Sequence, residues 1–246
     1  MSDLRYDPHD VEWTAEKSER VWNFYGSRPA FRALYFSAHS GEAIVERAER
    51  EVGLRGRRIL DFGAGRGDLL AVLLERGHRA GGFEFSEGSA ELARGRLAGE
   101  SGFEGIEVSP ELPSPYPDAS FDVVFLIEVV EHLLDDQLAA TLGEVHRLLT
   151  AGGHLVLTTP HAENLELELA HCPDCGATFH RWQHQRSWTV ASLRAVAEGA
   201  GFETVTATAL DWRRRGRLRS WLRRRAGGPH LLYVGARADS SIPFPP

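Results

Sequence analysis

The rhythm of apolar and polar positions changes near residue 57. Ahead of it, residues 10–50 carry apolar positions at helical spacing, with a loose aromatic series of Trp13, Trp22, Phe24, Tyr25, Phe31, Tyr35 and Phe36. The pattern predicts an N-terminal helical cap over residues 1–55. Its aromatic face either packs on the main domain or touches a ligand directly. From residue 57 onward, short apolar runs alternate with amphipathic stretches of ten or more residues. "RRILDF" predicts a strand, "DLLAVLLERG" a helix, "RAGGFEF" a second strand and "EGSAELARGRLAG" a second helix. A short third strand near "GIEV" gives way to "PELPSPYPDAS", whose four prolines make it a loop. "FDVVFLIEV" is apolar without alternation, as a strand covered on both faces must be. A helix with an acidic first turn follows in "DDQLAATLGEVHRLLT", stopped by "AGG", and then a fifth strand in "GHLVLTTP". This succession predicts an α/β fold, a mostly parallel sheet with helices on both faces.

Two segments break the rhythm. Residues 161–188 are polar and rich in His, Cys and Trp, after which "TVASLRAVAEGAG" and "FETVTATAL" restore a helix and a sixth strand. An arginine-rich insertion over 212–228 separates that strand from a seventh, "HLLYVGARA", and residues 239–246 read as a tail. One large domain over 56–238 therefore carries both insertions.

Composition narrows the class. The chain has 246 residues, 42% of them hydrophobic, and a net charge of -7, which suits a globular domain with a full core. No apolar run reaches the ~18–20 residues of a membrane span. The acidic, polar start "MSDLRYDPHDVEW" lacks the layout of a secretory signal. The only two cysteines, Cys172 and Cys175, have C-x-x-C spacing, which suits a metal clip or redox pair and a cytoplasmic setting.

The candidate chemistry begins at "ILDFGAGRGDLL". Gly63, Gly65 and Gly67 lie between a strand and a helix, where a side-chain-free backbone can turn tightly and approach a ligand. The spacing is not G-x-G-x-x-G, which argues against a dinucleotide dehydrogenase. Asp61 would repel a pyrophosphate but suits a cationic amino-acid group. Glu84, about 20 residues on, stands where an acid accepts hydrogen bonds from ribose hydroxyls.

Taken together, "ILDFGAGRGDLL", "GFEFS", "FDVVFLIEVVEHL" and "LLTAGGHLVLTTP" resemble the successive motifs of class I S-adenosylmethionine-dependent methyltransferases. The resemblance is dense over 57–160. It implies a Rossmann-like seven-stranded sheet with an antiparallel last strand, and S-adenosylmethionine as cofactor. It implies that Asp61, Gly63, Gly65 and Gly67 hold the amino-acid portion and Glu84 the ribose. Ser109 and Ile127 complete the implied cofactor set. Ser109 stands where many relatives have an aspartate near the adenine amine.

"LIEVVEHLL" raises the question of a metal. With a helix starting near 128, Glu128, Glu131 and His132 share one face at the carboxyl edge of the sheet. The plain alternative is negative charge at a helix N-terminus, found in methyltransferases without a metal. The ends of "TTPHAENLELELAHCPDCGATFHRWQHQRSWT" resemble small-RNA 3′-terminal ribose 2′-O-methyltransferases. There a Glu-x-x-Glu-His set and a later His, four residues before Trp-Thr, hold magnesium. Glu128, Glu131, His132 and His184 match that set, and ubiquinone-pathway O-methyltransferases have a similar Glu-His motif. The resemblance implies a divalent cation, Mg²⁺, Mn²⁺ or Zn²⁺, at these four residues. Without an ion, His132 or His184 would serve as general base.

A second candidate set follows C-x2-C-x4-H-x3-H spacing, compatible with tetrahedral zinc. Because His184 is claimed twice, the expected division gives a structural zinc Cys172, Cys175, His180 and His171. "RRRGRLRSWLRRR" concentrates positive charge and suits phosphate, as in RNA or a lipid-linked substrate at a membrane surface, or is a solvated helix. The expected activity is therefore metal-assisted O-methylation of a small-molecule, sugar or lipid-linked hydroxyl. The alternatives are RNA ribose 2′-O-methylation and metal-independent N-methylation.

Overall fold

A computed structural model of the chain describes residues 6–26, 28–212 and 228–238. The arginine run at 213–225 and the tail from 239 lie outside the described residues. In chain order the strands are β1 (His9–Asp10), β2 (Ile59–Phe62), β3 (Ala80–Glu84), β4 (Phe103–Val108), β5 (Phe121–Ile127), β6 (Leu149–Pro160), β7 (Leu169–His171), β8 (Ala177–His180), β9 (Phe202–Leu210) and β10 (His230–Arg237). The helices are α1 (Ala15–Gly26), α2 (Phe36–Glu51), α3 (Asp68–Glu75), α4 (Glu87–Leu97), α5 (Asp135–Leu148) and α6 (Val190–Gly199).

Seven strands form one sheet in the order β4-β3-β2-β5-β6-β10-β9. Strands β4 to β6 pair in parallel, whereas β10 runs antiparallel to both β6 and β9. This is the expected sheet with its reversed last strand. Strand β5 shows why the apolar run had no alternation. Val123, Phe125 and Ile127 enter the core layer under α2, α3 and α4, and Val124 and Leu126 enter the layer under α5 and α6. Each face is buried, so each position is apolar. The strand order reverses between β2 and β5, and the crevice beyond their carboxyl ends is where open α/β sheets bind ligands.

The N-terminal segment forms α1, a 3₁₀ turn (Pro29–Leu34) and α2. Helix α2 is buried through Ile44, Val45 and Ala48 and packs on α3. The chain before α1 adds a short strand that the helical pattern did not announce. It pairs in parallel with β8 in a small sheet of order β1-β8-β7, so the N-terminal cap and the 161–188 insertion share backbone hydrogen bonds.

One local expectation is corrected. No helix starts near 128: residues 129–134 form an irregular turn and α5 begins only at Asp135. Glu128 adopts φ +52°, a left-handed conformation outside the α-helical range, so it is not itself a helical residue. Glu128 is not in the ligand cluster that Glu131 and His132 share.

Candidate active site

The glycine loop joins β2 to α3 at the crevice. Gly67 sits at φ 72° as the left-handed residue ahead of α3. A Cβ there would lie 2.9 Å from Leu97 Cδ1 and 3.2 Å from Ala93 Cβ, so only glycine lets α3 and α4 close on the loop. Gly65, at φ 52°, lies under the Tyr35 ring and donates its N–H to Glu84 Oε2 at 2.7 Å. The N–H groups of Phe85 and Ser86 donate to Glu84 Oε1, both at 3.0 Å. Glu84 thereby ties the end of β3 to the loop.

Asp61 is 3% exposed. Burial pushes its carboxyl up to about 8, with Glu84 and Asp68 adding like-charge repulsion. Burial likewise raises Glu84 against the pull of its backbone donors. Acids held at this expense, beside side-chain-free backbone, suit a cationic ligand group. The ammonium and sulfonium of S-adenosylmethionine fit that need, and the Glu84 carboxylate fits a ribose diol.

The motif reading missed Asp68. It is buried, it accepts from Arg32 Nε at 3.0 Å and Arg96 Nη1 at 2.5 Å, and its Oδ2 has no partner. Arg32 belongs to the cap, so this ion pair fastens the cap to the cofactor loop. The Tyr35 hydroxyl is pushed up to about 12, first by burial and then by Glu84. The acidic first turn of "GRGDLL" was the available signal for Asp68; nothing in the sequence pointed to Arg32. Ser109 donates its hydroxyl to the Glu111 carbonyl at 2.6 Å, within its own loop. Ile127 is buried at the end of β5.

The second cluster is built from distant segments. Turn 128–134 supplies Glu131 and His132, and the insertion lays residues 180–186 across it. The Gln185 N–H donates to the Glu131 carbonyl at 2.7 Å, and Arg186 Nη2 donates to the Leu133 carbonyl at 2.6 Å. Gln183, at φ 62° and 1% exposed, holds the layers together. It accepts from Trp22 Nε1 at 2.6 Å and donates to Ser18 Oγ at 2.8 Å and the His132 carbonyl at 3.0 Å. The Trp22 ring stands edge-on to His132, with centroids 4.6 Å apart.

Ligand atoms of Glu131, His132 and His184 all lie within 4.8 Å of one another, as do those of Glu163, His180 and His184. Glu131 is 1% exposed; its Oε2 accepts from Thr159 Oγ1 at 2.9 Å, while its Oε1 has no hydrogen-bond partner. Burial holds the Glu131 carboxyl well above the usual range, with Glu128 contributing. Burial holds His132 well below its ordinary value, and His184 adds to the effect. A neutral imidazole beside a carboxylate with an orphaned oxygen is a donor set that fits a divalent cation.

Glu128 belongs to neither group. Burial pushes it up to about 8, and its Oε2 lies 3.9 Å from His230 Nδ1 on β10. Glu163 occupies a place that the spacing gave no reason to choose, 2.5 Å from His184 Nδ1. The expected zinc set is not assembled. His180 is buried at the base of the β7–β8 hairpin, opposite Leu169, while Cys172 and Cys175 lie at its tip. His180 is three residues from Ala177, the backbone partner of Cys172, a span of about 10 Å along a strand. His171 is held by Thr178 Oγ1 at 3.0 Å and the Tyr6 hydroxyl at 3.4 Å. The cysteines keep a knuckle turn: the Gly176 N–H donates to the Cys172 carbonyl, and the N–H groups of Cys175 and Asp174 draw the Cys172 thiol below its ordinary value. Among the described residues, neither cysteine joins a three-ligand cluster.

A reversed seven-strand sheet, a glycine loop and two acids at its switch point define the class I S-adenosylmethionine-dependent methyltransferase fold. The family model described as a methyltransferase domain matches residues 35–207, and the chain belongs to that family. It is 30% identical over 112 residues to the ubiquinone biosynthesis O-methyltransferase of Pseudomonas aeruginosa, covering 45% of this chain and 47% of that protein. The chain thus spans about half the length of the curated relatives it matches. Among solved structures, 1,6-didemethyltoxoflavin-N1-methyltransferase of Burkholderia thailandensis aligns with a TM-score of 0.65 and 20% identity, over 94% of each chain. A chain from the complex between the Haloferax volcanii Trm112 methyltransferase activator and a putative methyltransferase also gives 0.65, at 17% identity, over 89% of this chain and 98% of that one. No helix among the described residues is long and apolar enough to cross a membrane.

Proposed function

We propose that this protein transfers the methyl group of S-adenosylmethionine to a hydroxyl of a small-molecule, sugar or lipid-linked substrate, with a divalent cation assisting. The observation that carries this reading is the Glu131, His132 and His184 triad, with ligand atoms within 4.8 Å, beside the cofactor crevice. Glu128, on the same turn, does not join the triad. A hydroxyl is a weak nucleophile toward a sulfonium methyl, because its pKa lies far above 7. A bound divalent cation supplies Lewis acidity that orients substrate oxygens and makes deprotonation easier.

The chain's own residues do the rest. Asp61 binds the cationic methionine group and Glu84 the ribose, which sets the methyl group in the crevice. The cap, fastened by Arg32 to Asp68 and by Trp22 to Gln183, excludes water from the transfer. The similarity to an O-methyltransferase of ubiquinone biosynthesis supports oxygen as the acceptor.

A second reading rests on His132. Burial keeps its ring neutral, so one nitrogen offers a lone pair to a proton, with lowered basicity, in metal-independent methylation of oxygen or nitrogen. The structural likeness to an N1-methyltransferase is compatible with it.

Labelled S-adenosylmethionine, incubated with a metabolite extract and an RNA pool with and without EDTA, separates these readings. Incorporation into a hydroxylated small molecule that EDTA abolishes supports the first. EDTA-resistant incorporation supports the second, and label in RNA that falls steeply with salt redirects the substrate to a nucleic acid.

A further inference from the structure

His184 and His180 are each held by a hydrogen bond that dictates which ring nitrogen carries the proton. The backbone N–H of His184 points at His180 Nδ1 across 3.1 Å. A backbone amide only donates, so His180 Nδ1 presents its lone pair and the proton of the neutral ring sits on Nε2. His180 Nε2 faces Glu163 Oε1 at 3.7 Å and has no hydrogen-bond partner. The other Glu163 oxygen lies 2.5 Å from His184 Nδ1. A carboxylate acceptor there places the His184 proton on Nδ1 and leaves the lone pair on Nε2. The two imidazoles stack with centroids 4.5 Å apart and planes at 22°, which restrains both rings. On its other side His184 meets His132, with ring centroids 4.9 Å apart.

We propose that Glu163 and His180 are positioning residues that hold His184 in its Nδ1–H tautomer and commit His184 Nε2 to a divalent cation shared with Glu131 and His132. This rests on the metal reading above. A carboxylate on the far nitrogen of a ligating imidazole fixes ring orientation and raises ligand basicity, and losing it typically weakens metal binding about 10–100-fold. The arrangement also gives the insertion a purpose. Residues 161–188 deliver one ligand together with the two groups that orient it, whereas the cysteine pair at the hairpin tip takes no part.

Two measurements on the full chain test the proposal. Long-range ¹H–¹⁵N spectra of the ion-free protein report each imidazole tautomer, with His184 expected protonated at Nδ1 and His180 at Nε2. In Glu163→Ala, His184 should become a mixture of tautomers. Calorimetric titration with Mn²⁺ should show binding by the wild type, a loss of about 10–100-fold in affinity in Glu163→Ala, and no binding in Glu131→Ala. Should Glu163→Ala fail to unfold cooperatively, Glu163→Gln keeps the volume and an acceptor oxygen, and should keep the tautomer while lowering the affinity. Wild-type His184 protonated at Nε2, or Mn²⁺ affinity unchanged in Glu163→Ala and Glu163→Gln, overturns the proposal. So does binding that survives Glu131→Ala and vanishes in Glu163→Ala, because the ion would then sit on Glu163 itself. A wild type that binds no Mn²⁺ yet shows both expected tautomers overturns the metal reading and the commitment of Nε2 to an ion. A failed tautomer alongside intact Mn²⁺ binding overturns only the positioning role.

Discussion

The cofactor edge and the histidine cluster lie on neighbouring strand ends but are built in opposite ways. Asp61, Gly63, Gly65, Gly67 and Glu84 come from one β2–α3–β3 unit, so their relative placement follows from a strand, a turn and a helix. Glu131, His132, Glu163, His180 and His184 come from a turn and an insertion that meet only after folding. The first site is closely packed, with Gly67 against α4 and Gly65 against Tyr35. The second is held by side-chain links such as Trp22 to Gln183 and by the N–H of Gln185. Local construction makes a site readable and rigid, whereas construction by docking makes it adjustable.

The largest expected effect tests the local site. Asp61→Asn keeps the volume but removes the charge proposed to meet the methionine ammonium, and should weaken S-adenosylmethionine binding by about 2–5 kcal/mol in calorimetry. The same residue sets a pH dependence. Its carboxyl titrates near about 8 in the ligand-free fold against an ordinary 3.8. Between those values the native state holds a proton that the unfolded chain has released, so ligand-free stability declines as pH rises through the interval. The cationic group of S-adenosylmethionine would offset the buried charge. Its affinity should therefore rise with pH up to about 8, with protons released on binding, read from heats in buffers of different ionisation enthalpy. Asp61→Asn should flatten that dependence.

The docked site should respond differently to the same kind of change. Glu131→Gln removes a buried carboxyl whose ionisation is opposed by burial and by Glu128. Metal stimulation should disappear, while stability without metal should hold or rise by up to about 1 kcal/mol in denaturant titration. A clear loss of metal-free stability would mean the cluster is structural. Trp22→Phe removes the donor to the buried Gln183 oxygen and should cost about 1–3 kcal/mol of stability. It should affect substrate KM more than S-adenosylmethionine binding, since the link joins the cap to the insertion rather than to the glycine loop. The smallest effect is expected for Cys172→Ser. It should leave activity and divalent-ion binding unchanged within error, because the hairpin tip is separated from His180.

Most of the sheet was legible because burial on two faces leaves an unmistakable apolar run, as in β5, and because glycine turns punctuate it. The cap was legible as helix, yet β1 was not. A two-residue strand has no periodicity, and His9–Asp10 pairs with β8 only because the insertion folds back beside it. The helix expected at 128 failed on one dihedral, the left-handed φ of Glu128, which a non-glycine residue rarely announces. The expected zinc residues are not brought together because cysteine and histidine spacing says nothing about hairpin register, which puts His180 opposite Leu169. Glu163 was invisible for a related reason. Its only sequence context is a polar segment with no neighbouring ligand at a fixed spacing.

The sequence by itself determined the layered α/β architecture, the reversed seven-strand sheet through its motif order, and an acid-lined glycine loop suited to a cationic nucleoside. Those follow from periodicity and from conformational demands within a few residues of one another. Tertiary structure decided that Glu163 and His180 gather beside Glu131, His132 and His184, and that Glu128 and the cysteine pair stay outside. That outcome depends on how the insertion docks against turn 128–134, and a docking geometry is set by packing and hydrogen bonds between segments far apart in the linear chain.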